Sequence, residues 1–202
     1  MQQILYGFPF ACSLAVHLQL VRYGVDFELR WVERGPARKI GTPGFEGVNA
    51  KQKVPTLVLG DGEVLTEIVG VLSYLDEVHR PVDAAASRRR LEWLSFLATE
   101  LHQPVLGPAF DPATPEEAVH DARTRLLPPV LAHLEATLMD QETLGGGAAE
   151  GADAYLLWGL LLLRNRWPDE VSGPAFGGFV SRMLADDRVR AVIARERGVL
   201  SS

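Results

Sequence analysis

The residues whose types could do chemistry sit in a few short stretches. In "FPFACSLAV" a strand-like run hands over to a helix-like one at Cys12 and Ser13. A cysteine at a helix N-terminus meets unpaired N–H groups and the positive dipole end, which favour the nucleophilic thiolate. A lone cysteine is also compatible with an inert, buried residue. Ser13 offers a hydroxyl for the same role, or caps the helix by accepting a backbone N–H. In "KQKVPTLVL" Val54 and Pro55 precede a β-type run. Proline cannot donate to a ladder, so Pro55 belongs at a strand start or an edge. A cis bond there would turn the preceding backbone outward, towards an extended ligand. In "VLTEIVGV" Glu67 stands where a strand meets a helix, a position where an acid opposes the helix dipole. Ile68 beside it has no side-chain donor. In "TELHQP" His102 lies on a helical face with Thr99 and Gln103, in a structural or a catalytic role.

Other groups carry less. Tyr6 near the end of the first strand could reach a thiolate or fill the core. His17, His79, His120 and His133 show no convincing metal-type arrangement, and His79 with Asp76 reads as a solvated surface pair, so no metal site is expected. Trp31, Trp93, Trp158 and Trp167 are expected to be packing residues. There is no P-loop, no GxGxxG and no GxSxG.

The elements that must position these residues follow from periodicity. "QQILYGF" reads as a strand, and Ser13–Tyr23 carries Leu14, Leu18 and Val21 at helical spacing before Gly24. "DFELRWVE" (26–33) is a second strand, parallel to the first if residues 13–23 form the crossover. Residues 34–53 read as loop with one helical turn. Two β-type runs flank Asp61-Gly62, a dipeptide that favours a type I′ hairpin turn. A helix follows from about Ile68 to Val78. Residues 79–86 form a connector, and helices are expected over 87–107, 115–140, 153–166, 174–186 and 188–197, with "LGGGAAEG" (144–151) as a break. The reading is therefore α/β plus all-α: a small first domain over 1–78, a linker over 79–86, and a helical domain over 87–202.

Composition excludes several classes. With 202 residues, 47% apolar and 23% charged, the chain is of ordinary globular type. A net charge of −6 disfavours a broad nucleic-acid or anionic-membrane footprint. One cysteine permits no internal disulfide and suits a reducing compartment. The N-terminus lacks a basic segment followed by a long apolar run, so no signal peptide is expected. The most apolar stretch, "AYLLWGLLLL" (154–163), is shorter than the ~18 residues a bilayer span needs. A cytoplasmic protein that touches neither membrane nor nucleic acid is expected.

Taken in order, "FACSLAVHLQLVRYGVDFEL", "VNAKQKVPTLVLGDGEVLTE" with "LSYLDE", "WLSFLATELH" and "GADAYL" resemble the glutathione transferases over nearly the whole chain. "ACSLAVH" and "ELH" are most similar to the bacterial beta class. The resemblance implies a thioredoxin-like first domain with a mixed four-stranded sheet, a cis Pro55, a helical bundle domain and a homodimer. Carried over by position, it places Cys12 at the glutathione sulfur and brings His102 to the same region. It sets Lys53 and Val54 against the tripeptide backbone, and Glu67 with Ile68 at the γ-glutamyl end. Phe8, Phe10, Leu106 and Phe110 become candidate walls for a small hydrophobic electrophile.

The chain also departs from that pattern. Ile68 stands where the family has a serine, a lost hydroxyl worth about 1.5–3 kcal/mol, or roughly ten- to a hundredfold in affinity. "NAKQK" replaces the usual "NPKG" before "VP". The turn before Cys12 is one residue longer than usual, which leaves Cys12 and Ser13 as alternatives. Glu150 replaces the hydroxyl at the start of the "ADAYL" helix, so only the Asp153 half of a capping box is expected. The expected activity is glutathione transfer or thiol exchange. The alternatives are a ligand-binding or interaction module with weakened glutathione binding, and a disulfide reductase or peroxidase using Cys12 covalently.

Overall fold

A computed structural model describes residues 2–35 and 41–200. The first strand, β1 (Gln3–Gly7), leads into helix α1 (Ser13–Tyr23) and strand β2 (Phe27–Trp31). β1 and β2 are parallel with Leu5 opposite Leu29, so residues 13–23 are the crossover that the spacing predicts. Gly24 ends α1 in the left-handed region (φ 68), where its N–H reaches the carbonyls of Leu20 and Val21. One helical turn, α2 (Phe45–Val48), lies in the stretch 34–53 expected as loop, of which residues 36–40 lie outside the described residues. Strands β3 (Thr56–Val58) and β4 (Val64–Thr66) complete a mixed sheet of order β2-β1-β3-β4.

The hairpin turn differs from the expected type I′. Its loop is three residues, with Gly62 N–H donating to Leu59 O (3.0 Å) and Leu59 N–H to Glu63 O (2.8 Å). Gly62 takes φ 97, whereas Gly60 and Asp61 keep negative φ. This is a type I turn closed by a glycine bulge, and a type I′ turn would need positive φ at both central residues. Asp61 prefers to accept the Glu63 N–H (3.0 Å), which fixes that geometry.

Helix α3 (Ile68–His79) lays Val71, Leu72 and Leu75 into the core against α1, whose Leu14, Leu18 and Leu20 are fully buried. α1 is covered on its other side as well, because α10 (Asp187–Leu200) packs on it through Val189, Val192 and Ile193. The contacts divide the chain into two compact units, one holding the residues to Pro81 and those from Asp186 on, the other Val82–Ala185. The last helix thus belongs to the sheet-containing unit.

The second unit is helical: α4 (Ala84–Phe96), α5 (Gly107–Phe110), α6 (Glu116–Asp121), α7 (Leu127–Asp140), α8 (Gly151–Arg166) and α9 (Pro174–Ala185). π-type segments join α4 to α5 over Leu97–Leu106 and α6 to α7 over Ala122–Leu126. Each widening precedes or contains prolines, Pro104 and Pro108 in one case and Pro128 and Pro129 in the other. Proline has no N–H and clashes with the carbonyl four residues back, which pushes the ladder into longer bonds. Gly107 N–H accordingly reaches His102 O, and Leu127 N–H reaches Ala122 O.

α8 begins with a complete capping box, not the half expected. Asp153 accepts the Glu150 N–H (2.8 Å), and the Glu150 side chain reaches back to the helix. A glutamate can replace the missing hydroxyl here because Arg90 holds its carboxylate with bonds of 2.6 and 2.5 Å. Asp153 also accepts the Leu144 N–H (2.9 Å), tying the preceding glycine-rich loop to the helix. Asp153→Ala removes both bonds from a buried carboxylate. The expected loss is about 3 kcal/mol, since hydrogen bonds to charged groups are worth roughly 1.5–3 kcal/mol each. A urea midpoint unchanged from wild type would contradict this.

Candidate functional site

Strand registry gathers the candidate residues of the first unit at one end of the sheet. Thr56 pairs with Tyr6 of β1 on one side and with Thr66 of β4 on the other. The loop after β1, the entry to β3 and the exit from β4 therefore share an edge. Cys12, Val54 and Glu67 lie on those three segments.

Cys12 is the N-cap of α1 and is half-buried. Its thiol donates to Val54 O at 3.4 Å, linking the first loop to the residue before the cis Val54–Pro55 bond. The Val54 N–H has no hydrogen-bond partner among the described residues, so one polar group of that backbone is open. Ser13 is placed differently. It is 1% exposed, and its hydroxyl accepts from Phe8 N–H (3.1 Å) and donates to Phe8 O (3.2 Å). Both hydrogen-bonding roles of Ser13 thus close the turn before Cys12.

The loop into β3 is folded around Asn49, which the sequence did not single out. Its side-chain amide donates to Lys53 O and to Thr56 Oγ1, both at 2.9 Å, while Lys51 N–H donates to its Oδ1 (3.0 Å). The lysine of the next turn, Lys51, then reaches β4. Its ammonium donates to Thr66 Oγ1 (2.6 Å) and to Glu67 Oε1 (2.5 Å). A lysine cation thus occupies the Glu67 carboxylate, whose side chain is 68% exposed. Lys53, the candidate from sequence, is exposed and contributes its carbonyl to the Asn49 network.

Glu67 stands at the N-cap of α3 with φ 68. Ile68 opens the helix with its side chain buried (7% exposed), so only its N–H faces the helix end. The first intrahelical bond here is Val71 N–H to Glu67 O, which leaves the amides before it unpaired within the helix.

Among the described residues, three other than glycine have positive φ: Phe10 (56°), Gln52 (51°) and Glu67 (68°). Each lies on one of the three converging segments. Such a conformation costs about 1–3 kcal/mol and persists only where surrounding contacts impose it. For Gln52 the reason is visible, since its N–H donates to Asn49 O (2.8 Å) in a turn where glycine would fit without strain. Gln52→Gly is expected to raise stability by about 0.5–1 kcal/mol, read as a higher melting temperature; a lower one would show that the glutamine side chain is needed.

Phe10 is held by another polar group that sequence reasoning missed. Glu196 of α10 accepts the Phe10 N–H through Oε2 (2.8 Å) and His17 Nδ1 through Oε1 (2.8 Å). His17 and Glu196 are each 1% exposed. The signal was there: Glu196 follows Val189, Val192 and Ile193 at helical period, an acid on the apolar stripe.

The remaining candidates have local explanations. Tyr6 hydroxyl accepts from Arg30 Nη1 (3.0 Å), and its ring lies against Phe45. Arg30 also donates to Glu28, and these bonds hold the Glu28 carboxyl below the usual carboxylate range. Phe8 packs with Val32, Phe45 and Val54, and Phe10 is half-buried near Arg197. In the helical unit His102 Nδ1 lies 2.6 Å from the Tyr155 hydroxyl, with its ring edge-on to Trp158 at 4.7 Å. Leu106 is buried there, and Phe110 lines a cleft of about 580 Å³ with Pro112, Val119 and Trp167. Among the described residues no cluster of His, Cys, Asp and Glu could hold a metal ion, and no helix is long and apolar enough to cross a membrane.

Comparison with known proteins decides what this arrangement belongs to. Residues 11–78 match the family model for the glutathione S-transferase N-terminal domain. Glutathione S-transferase GstA of Escherichia coli O157:H7 is 37% identical over 154 residues, spanning 73% of this chain and 76% of that one. The chain belongs to the glutathione S-transferase family. Its fold is that of solved family members. A sphingomonad glutathione S-transferase complexed with glutathione has a TM-score of 0.86 and 33% identity, with 96% of this chain and 98% of that one covered. The bacterial beta class glutathione S-transferase of Sphingomonas chungbukensis has the same TM-score and coverage at 32% identity. The family model spans Cys12, the Asn49 loop, Val54, Pro55, Glu67 and Ile68.

Proposed function

We propose that this glutathione transferase binds glutathione along the sheet edge of its first unit, with Cys12 at the sulfur and Glu67 at the γ-glutamyl end. The observation that carries the reading is the Cys12 thiol 3.4 Å from Val54 O, at the N-terminus of an 11-residue helix. The open N–H of Val54 suits a ligand that lies extended beside it, as a strand pairs with an edge. Glu67 suits a ligand ammonium, because a lysine ammonium already sits on it at 2.5 Å. The Ile68 N–H at the start of α3 suits a carboxylate.

The chemistry needs a bound thiolate, which attacks an electrophilic carbon of a small hydrophobic substrate. A C–S bond forms, the bond to the leaving group breaks, and the leaving group takes the electron pair. The thiol proton passes to solvent before attack. Donors around the sulfur favour the thiolate, and the α1 N-terminus supplies them. Ser13 takes no part, since its hydroxyl is committed to Phe8. The chain works as a homodimer in a reducing cytoplasm, where glutathione is abundant.

A second reading has Cys12 forming the mixed disulfide of an exchange enzyme. The half-buried thiol, not sealed in the core, favours it. Cys12→Ser separates the two. Conjugation by the variant within about tenfold of wild type, with disulfide exchange abolished, assigns Cys12 to exchange and glutathione's own thiolate to conjugation. Full exchange activity in the variant contradicts any covalent role for Cys12.

A further inference from the structure

The γ-glutamyl end of glutathione carries an ammonium and a carboxylate, and the first turn of α3 can serve only the former with a side chain. Glu67 provides the acid, while Ile68, Val69 and Gly70 carry no side-chain donor. A charge of the right sign is nevertheless adjacent. Lys51 Nζ lies on Glu67 Oε1 and Thr66 Oγ1. An ammonium has three N–H donors, and these two bonds occupy two of them. The Lys51 side chain is 48% exposed, so a ligand can reach it.

Its backbone is fixed, while its head is carried on a long flexible stem. Lys51 N–H is tied to Asn49 Oδ1 (3.0 Å), and the next residue, Gln52, holds its strained φ against Asn49 O. The flexible four-carbon stem lets the ammonium shift without moving the loop.

We propose that Lys51 supplies the donor absent at Ile68: it binds the α-carboxylate of the γ-glutamyl end while Glu67 takes the α-ammonium. The four charges then alternate, lysine to carboxylate and ammonium to glutamate, so no like charges face each other. Without ligand, Lys51 neutralises Glu67. With ligand, it remains beside Glu67 and turns its third N–H to the incoming carboxylate. The site therefore selects γ-linked peptides with an intact zwitterionic α-carbon, and Lys51 is a specificity-determining residue. This rests on the glutathione reading of the site.

Calorimetry with two ligands tests it: glutathione, and the analogue lacking the α-carboxylate, 4-aminobutanoyl-cysteinylglycine. Lys51→Met is expected to weaken glutathione about tenfold, a charge-assisted bond discounted for its exposure. The same change should move the analogue by no more than about twofold. Lys51→Arg should retain most of the glutathione affinity. Equal losses for both ligands would overturn the proposal, because Lys51 would then act through the loop alone. So would tighter glutathione binding by Lys51→Met, since the lysine would then be competing for Glu67. Wild type that binds glutathione while Lys51→Met binds it equally well refutes Lys51 only. Wild type that fails to bind glutathione at about 10 mM refutes the underlying reading, and this assignment with it.

Discussion

Glu196→Ala is expected to lower stability by about 3–5 kcal/mol, because it leaves a buried imidazole and the half-buried Phe10 N–H without their acceptor. His17 Nδ1 and the Phe10 N–H both donate to this carboxylate at 2.8 Å, and neither His17 nor Glu196 is open to water. For a chain of this size the melting temperature should fall by about 10 °C. The effect should extend to the site. Phe10 sits at φ 56 two residues before Cys12, and its N–H donates to Glu196. Released, the turn should relax, and Cys12 should change its rate with a thiol reagent. Glu196→Gln keeps an acceptor for Phe10 and should fall between the two. A Glu196→Ala protein melting within about 2 °C of wild type would show that the buried pair contributes little.

Glu67→Gln is expected to weaken glutathione roughly ten- to a hundredfold while leaving the fold intact. The side chain is 68% exposed and its ion pair among the described residues is to a half-exposed lysine, so the structural cost is small. The ligand's cost is larger, because an amide offers an ammonium no charge. The positive φ of Glu67 belongs to the backbone and survives the substitution. Unchanged affinity in Glu67→Gln, with an unchanged melting temperature, would remove Glu67 from the site.

Much of the fold was legible because its signals are local. α1 runs from Ser13 to Tyr23 as the spacing predicts, and the parallel β1–β2 pair follows from the length of the crossover. The dipeptide Asp61-Gly62 marks the turn but not its type, since the preceding Gly60 allows a longer loop that the dipeptide rule ignores. Glu150 reads locally as half of a capping box because the residue that makes a glutamate workable there, Arg90, lies 60 positions earlier. The site divides the same way. Cys12, Val54, Pro55 and Glu67 stand at element boundaries that the pattern marks. Lys51 and Glu196 act through long-range bonds that no local pattern shows, although Glu196 interrupts an apolar stripe, while Asn49 works within its own loop, where a side-chain network leaves no periodic signal. Ile68 was the visible departure, and its burial explains how the chain accommodates it: the side chain joins the core, and only the backbone remains at the helix end.

The central claim is that the edge formed by Cys12, Val54 and Glu67 holds glutathione despite the isoleucine. A calorimetric titration of the wild-type protein with glutathione tests it most directly. The account predicts saturable binding with a dissociation constant below about 10 mM, within reach of a cellular thiol pool. Binding weaker than that would contradict it and leave the chain a transferase in fold with some other ligand.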